Sequence, residues 1–380
     1  MTPSARLDEV CELVMGQAPR GKAYNTDAIG WPLIAGAGDF GPVHPQPKKF
    51  TTEAPKLSQV GDIVLGIRAT IGEKVWCDGV YCLGRGVASL RAQPRLEGRY
   101  LWHWLTHVRP ELTFKAKGAT FKQVTRNDIG ELRIALPSLA EQRRIADVLD
   151  QAEMLLAKRR AALVELDTLI QAIFLEMFGD PIHNPKHFPV ARMIDLIDQH
   201  RPITYGILMP GPDQVSGVRY VRVVDMKDGR IDLSAIRKTT LAISRSYRRS
   251  LLKAGDVLMS IRGHVGRFAV VPQELDGANI TQDTARLAIR GASPLFVREC
   301  LRTEGFQRWM TGRTKGVAVR GINLADVKLM PVILPSRRSQ EAFAARATSV
   351  ERLAAVHRAS IAELDALFAV LQRRAFRGEL

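Results

Sequence analysis

Residues 61–72 read GDIVLGIRATIG, and residues 255–266 read GDVLMSIRGHVG. Both stretches carry Gly-Asp, an apolar run, Ile-Arg and an apolar-Gly ending, at an offset of 194 residues. Self-similarity at a long fixed spacing marks a duplicated architecture, and it must be recognised before any element is assigned. The correspondence continues downstream at an offset of 198: Lys117-Gly118 with Lys315-Gly316, Leu136-Pro137-Ser138 with Leu334-Pro335-Ser336, and Glu165-Leu166-Asp167 with Glu363-Leu364-Asp365. Matches held in register over so long a stretch make the chain two copies of one plan.

Each copy opens with short apolar runs broken by Gly, Pro, Asn and Asp, which predict strands and turns with a few helices between them. A long helical arm follows. In the first arm Leu149, Ala152, Leu156, Leu163, Leu166, Ile170, Ile173 and Met177 advance by threes and fours, a heptad seam. Phe343, Ala347, Val350, Ala354, Ile361, Leu364, Phe368 and Leu371 repeat it in the second. Pro137 and Pro335 punctuate the starts, and Gly179-Asp180-Pro181 stops the first arm. A seam this long exceeds what one small domain can cover, so the two arms are expected to pack on each other, antiparallel, about a pseudo-two-fold axis. The expected contacts are Leu149, Leu156, Leu163, Leu166, Ile170 and Ile173 against Val350, Ile361, Leu364, Phe368 and Leu371. The fold class is therefore α+β: two tandem α/β domains, residues 1–137 and 181–335, with helical arms at 138–180 and 336–380 forming a coiled coil.

Charge divides along the same lines. The chain of 380 residues carries a net charge of +16. Residues 1–137 hold 18 Lys+Arg against 13 Asp+Glu and residues 186–335 hold 24 against 13, whereas the first arm is net acidic. Positive charge concentrated in the globular segments predicts a polyanionic partner, either nucleic acid or an acidic membrane surface. No 18-residue apolar run and no basic amphipathic anchor offers a membrane route. Cys11, Cys77, Cys82 and Cys300 make neither a disulfide framework nor a C-x-x-C clip, and the start MTPSARLDEV lacks a signal-peptide layout, which together predict a cytoplasmic chain.

Catalytic motifs are missing. There is no Asn/Asp-Pro-Pro-aromatic stretch to hold a flipped base, no G-x-x-x-x-G-K-[ST], no H-E-x-x-H and no nucleophile elbow. Gly36 to Gly41 spell G-x-G-x-x-G, but Pro42 follows and no helix can open there, so the stretch is a loop. His103 and His107, four apart, suit a partly buried aromatic helix better than a metal site. No catalytic, cofactor or metal residue is expected in this chain.

Basic, glycine-containing loops remain. Arg68 and Lys74 flank one turn of the repeated motif, and Arg262 and Arg267 flank the other. Such an Arg can meet a phosphate or the O6/N7 edge of guanine. The alternative for Arg68 and Arg262 is an internal pair with the Asp of the preceding Gly-Asp. Lys115, Lys117 and Lys122 surround Gly118, and Arg313, Lys315 and Arg320 surround Gly316, loops whose backbone can approach a phosphate closely. Arg245, Tyr247, Arg248 and Arg249 form the densest cluster, in the second copy only.

The runs Leu136 to Ile145 (LPSLAEQRRI) and Ile170 to Asp180 (IQAIFLEMFGD), the two Gly-Asp motifs and the closing Arg374 to Leu380 (RAFRGEL) resemble the specificity subunit of type I restriction–modification systems over essentially the whole chain. The resemblance implies a DNA-binding subunit in which each globular domain reads one half of a split target. It also implies that the arms set the spacing and dock two methyltransferase subunits, with motor-nuclease subunits joining where restriction occurs. S-adenosylmethionine, ATP and Mg would then belong to those partners. The second arm departs from the pattern, since Ser339-Gln340-Glu341 replaces a clean Glu-Gln start. A stand-alone DNA- or RNA-binding architectural protein with a dimerising coiled coil is the rival reading, separated by whether a methyltransferase co-purifies. A nuclease lacks the clustered carboxylates and Lys it would need.

Overall fold

The computed structural model describes residues 3–118, 122–316 and 320–380. Two compact units emerge, one comprising Met1–Arg159 with Ser360–Leu380 and the other Arg160–Ala359.

In the first unit the Gly-Asp motif starts the central strand of a four-stranded antiparallel sheet. Its strands are β1 (Cys11–Met15), β2 (Ile63–Gly66), β3 (Lys74–Trp76) and β4 (Val87–Ala92), hydrogen-bonded in the order β1-β4-β2-β3. Strand β2 is buried on both faces, which is why its sequence reads as an apolar run and not as an alternation. Ile63 and Leu65 meet Tyr100, Leu101, Trp104 and Leu105 of helix α1 (Gly98–Lys115), while Val64 joins Ile34, Val75 and Leu83 on the other side. A smaller sheet lies there, ending on a parallel pair, Trp31–Ile34 with Cys82–Leu83. The early turns of the 40-residue helix α2 (Leu139–Phe178) contribute Ile145 and Leu149 to the main core.

The second unit repeats this connectivity. Its strands β5 (Thr204–Tyr205), β6 (Val257–Ser260), β7 (Phe268–Val270) and β8 (Thr284–Leu287) pair in the order β5-β8-β6-β7. Register is kept as well: Ile63 faces Trp76 in the first unit, and Val257 faces Val270 in the second. Val257 and Met259 pack with Phe296, Val297 and Cys300 of helix α3 (Pro294–Arg302), and Leu258 packs with Val221, Ala269 and Ile280. The smaller sheet again ends on a parallel pair, here Val218–Val221 with Asn279–Ile280.

Helix α4 (Arg337–Arg377) closes the chain. Late residues of α4, Phe368, Leu371 and Ala375, pack with Ile145 and Leu149 in the first unit, and early ones, Phe343 and Ala347, pack with Ile170, Phe174 and Phe178 in the second, as antiparallel helices require. The seam positions are the covered ones: Leu149, Leu156 and Ile170 are buried, Leu163, Leu166, Ile173, Val350, Ile361, Leu364, Phe368 and Leu371 are half-buried, and Val164, Leu169, Leu353 and Leu367 are exposed. The helices are held by their own domains more firmly than the heptad pattern alone implies. Phe174 and Phe178, beside the seam, pack against Phe296 and Phe343 at centroid distances of 5.0–5.8 Å. Such tilted and edge-on pairs add to burial about 0.5–1.5 kcal/mol each.

Both long helices start the same way. Ser138 and Ser336 accept from the backbone amides of Glu141 and Ser339, as N-caps do. Buried Gln142 donates to the Arg95 and Pro137 carbonyls and accepts from the Glu97 amide at the head of α1. Gln340, 198 residues on, donates to the Pro335 carbonyl and accepts from the Ser293 amide at the head of α3. The departure at Ser339 therefore costs the second arm its Glu but not its Gln, and the Gln is what ties each arm to its domain.

Candidate nucleic-acid interface

Each Gly-Asp motif is an internal brace. Gly61 and Gly255 adopt φ of +85° and +88°, a conformation favourable only to glycine, and donate to the Cys77 and Val271 carbonyls. Asp62 and Asp256 then accept from the backbone amides of Gln59 and Lys253. Their charges are matched by Arg91, at 2.8 and 3.0 Å from Asp62, and by Arg201, at 2.7 and 2.6 Å from Asp256. The internal pairing considered for Arg68 and Arg262 is thus taken by other arginines. No ion-pair partner of Arg68 or Arg262 occurs among the described residues.

The turn that follows β2 is pinned to the basic loop after α1. The Val124 amide donates to the Ile67 carbonyl, Ala69 to Lys122, and Lys117 and Gln123 exchange hydrogen bonds at 3.0 and 2.9 Å. The second unit uses the same ties: Ile322 to Ile261, Gly263 to Arg320, and a reciprocal pair between Lys315 and Gly321, both at 2.9 Å. Two elements far apart in sequence thereby come together twice, Arg68 with Lys117 and Lys122, and Arg262 with Lys315 and Arg320. Gly72 and Gly266, closing the turns at φ of +85° and +92°, press against Arg109 and Gln307, where a Cβ would come within 2.5–2.6 Å of a side-chain atom. The loop tips, residues 119–121 and 317–319, lie outside the described residues.

Several cations chosen from the sequence are used internally. Lys74 runs inward along α1, donating to Thr106 Oγ1 at 2.6 Å and lying 4.2 Å over the Trp102 ring. Burial lowers its pKa to about 8. Arg267 donates to the Val223 and Met226 carbonyls, and Lys115 is half-buried beside Glu111 at 3.3 Å. Each of these three is engaged within its own unit. Arg313 is exposed and stacks 3.8 Å over Trp309. Lys117, Lys122, Arg262, Lys315, Arg320, Arg245, Arg248 and Arg249 face solvent, with Tyr247 half-buried among the last group.

The sequence did not single out the residues around Arg262, where Tyr205, Leu208, Gln282 and Asn323 share a cavity of about 350 Å³ with it. With Arg262 they come from four separate segments, and no local pattern could group them. His103 is fully buried, 2.7 Å from Asp150, so it closes the domain as the aromatic-helix reading expected. The four cysteines are buried and free, and burial raises each thiol's pKa to about 11 or 12. Among the described residues no group of His, Cys, Asp and Glu could hold a metal ion, and no helix is long and apolar enough to cross a membrane.

A strand turn bonded to a cationic loop is thus built once in each of two duplicated α+β units. Residues 4–166 match the family model described as type I restriction modification DNA specificity domain, and the chain is similar to the specificity subunits of type I restriction–modification systems. It is 27% identical over 353 residues to the type I restriction enzyme EcoBI specificity subunit of Escherichia coli, a match covering 84% of this chain and 73% of that protein. The crystal structure of a type I restriction–modification S subunit from M. genitalium covers 99% of the chain and 96% of its own, with a TM-score of 0.56 at 12% identity, a likeness of fold. A chain solved in work on type I complex assembly is 36% identical, with a TM-score of 0.40, over 43% of this chain and 41% of its own length.

Proposed function

We propose that this chain is the non-catalytic specificity subunit of a type I restriction–modification assembly, each unit reading one half of a bipartite double-stranded DNA target. The observation that carries the reading is the duplicated pairing of turn and cationic loop, Arg68 with Lys117 and Lys122, and Arg262 with Lys315 and Arg320. Exposed cations on a loop whose backbone is fixed at its base suit phosphate contact, which positions a protein on DNA, while the neighbouring turn and cavity offer groups for base edges. The long helices hold the spacing and dock two methyltransferase subunits, with motor-nuclease subunits where cleavage occurs. S-adenosylmethionine, ATP and Mg act on those partners.

Selection from a random duplex library by the chain assembled with its methyltransferase subunit tests this reading. Two short specified blocks separated by a fixed unspecified spacer are expected. One continuous block, or DNA binding that never requires a methyltransferase, would overturn it.

A further inference from the structure

A second cationic feature lies in the Arg160–Ala359 unit, away from the turn and loop. Arg201, Arg248, Arg249, Lys253, Arg286 and Asp276 line a cavity of about 550 Å³. Arg286 is the unusual member. Only 3% exposed, it donates to the carbonyls of Arg249 at 2.8 Å, Leu251 at 3.0 Å and Pro202 at 2.8 Å, and its Nε is buried without a partner. None of its bonds goes to a carboxylate. The nearby carboxylate of Asp256 is held in a two-point pair by Arg201, so Arg286 remains a buried cation with no counter-ion in contact.

Burial of an unpaired charge is costly, and an anion brought to the cavity relieves that cost. Burial and the neighbouring Arg201 both push the Arg286 pKa down, in keeping with an uncompensated charge. Two of its carbonyl bonds also fix the backbone from Arg249 to Leu251, so that exposed Arg248, Arg249 and Lys253 border one opening. Five cations stand against three carboxylates: Asp276, the already paired Asp256, and Asp198, which accepts from the His200 amide. At the equivalent strand position the first unit has Ser89, which faces Val64 as Arg286 faces Leu258 and donates to Asp62. The buried cation therefore belongs to one copy of the repeat only.

We infer that this cavity is a phosphate-binding pocket that takes a backbone phosphodiester of the bound DNA through Arg248, Arg249 and Lys253, with Arg286 as its buried cationic floor. This rests on the DNA-reading function proposed above. An exposed basic patch without a floor gives phosphate attraction with no fixed position. A pocket selects one phosphate, and that phosphate fixes where the second unit sits on its half-target.

The test compares the full chain, assembled with its methyltransferase, with its Arg248→Gln/Arg249→Gln variant, both substitutions at exposed side chains. Target duplexes carry a neutral methylphosphonate at one backbone position at a time. At one position in the half-target read by the second unit, neutralisation should weaken the wild type about 3- to 10-fold and leave the variant unaffected. The variant's slope of log K against log[salt] should also fall by about 0.9 for each phosphate that is no longer neutralised. An unchanged urea midpoint shows that the variant is folded. Normal DNA binding with additive losses at every backbone position would overturn the pocket. So would saturable inorganic-phosphate binding, lost in the variant, without a coupled backbone position, since the pocket would then serve a free anion. Failure of the wild-type assembly to bind DNA at all would overturn the parent reading instead, and the inference with it.

Discussion

Replacing Lys117 and Lys122 together by Gln removes the two cations that the first unit's loop presents to solvent, without touching the backbone bonds that pin it. Each phosphate contact contributes about 0.9 to the slope of log K against log[salt], so the double variant should lose about 1.8 of that slope. Raising salt from about 50 to about 200 mM is a four-fold change, and it should penalise the wild type roughly 12-fold more than the variant. At low salt the variant binds more weakly, to matched and mismatched duplexes alike, because phosphate contacts carry no base information. Lys115→Gln is the internal control: its ammonium already lies beside Glu111, so the slope should stay at the wild-type value. Fluorescence anisotropy with the assembled complex at four or five salt concentrations measures both. A double variant with an unchanged slope, or one that keeps its affinity and prefers different bases, would show that this loop does not hold phosphate.

Arg302 bridges buried Glu299 to Asp167 in the second unit, whereas Arg308 pairs with Glu304 in solvent. Arg302→Met should cost about 3 kcal/mol and lower Tm by roughly 6–12 °C, while Arg308→Met should stay within about 1 kcal/mol; equal effects in thermal unfolding would refute the contrast. Lys74→Met should leave DNA affinity unchanged. It should also stabilise the protein at neutral pH, because a lysine whose folded pKa is lowered to about 8 from 10.5 opposes folding below 8, and this advantage should shrink as pH rises from 8 towards 10.5; a variant that binds DNA more weakly would return Lys74 to the interface. Adding one heptad after Leu156 and one after Ala354 preserves the seam and lengthens each helix by about 10 Å, close to three base pairs. Library selection should return the same half-sequences with a spacer longer by about one to three base pairs, the range reflecting the ~100° turn of the second half-site. An unchanged spacer would show that the helices do not set the distance.

Much of the architecture follows from neighbours in the chain. The paired Gly-Asp motifs announce the duplication, and the apolar triplets after them become central strands because both faces are covered. The three-and-four spacing yields two helices, Leu139–Phe178 and Arg337–Arg377, each started by a Ser that the 198-residue offset already pairs. Gln340 was legible by the same offset, although the altered residues around it obscured the match with Gln142. Phe174 and Phe178 were less so, since their partner Phe296 lies more than 100 residues away.

What a charge does was decided by the tertiary structure. From sequence Lys74 and Lys117 are both cations beside glycine turns, yet one lies over Trp102 and the other faces solvent. Asp62 and Asp256 are the same residue in the same motif, but the first takes Arg91 from the adjoining strand and the second takes Arg201 from the loop before β5. That difference leaves Arg286 buried and unmatched in one unit alone. Sequence fixes hydrophobic period and turn chemistry because these act over a few residues. The worth of a charge depends on the desolvation and partners it meets, and those are supplied by segments tens of residues distant that only folding brings together.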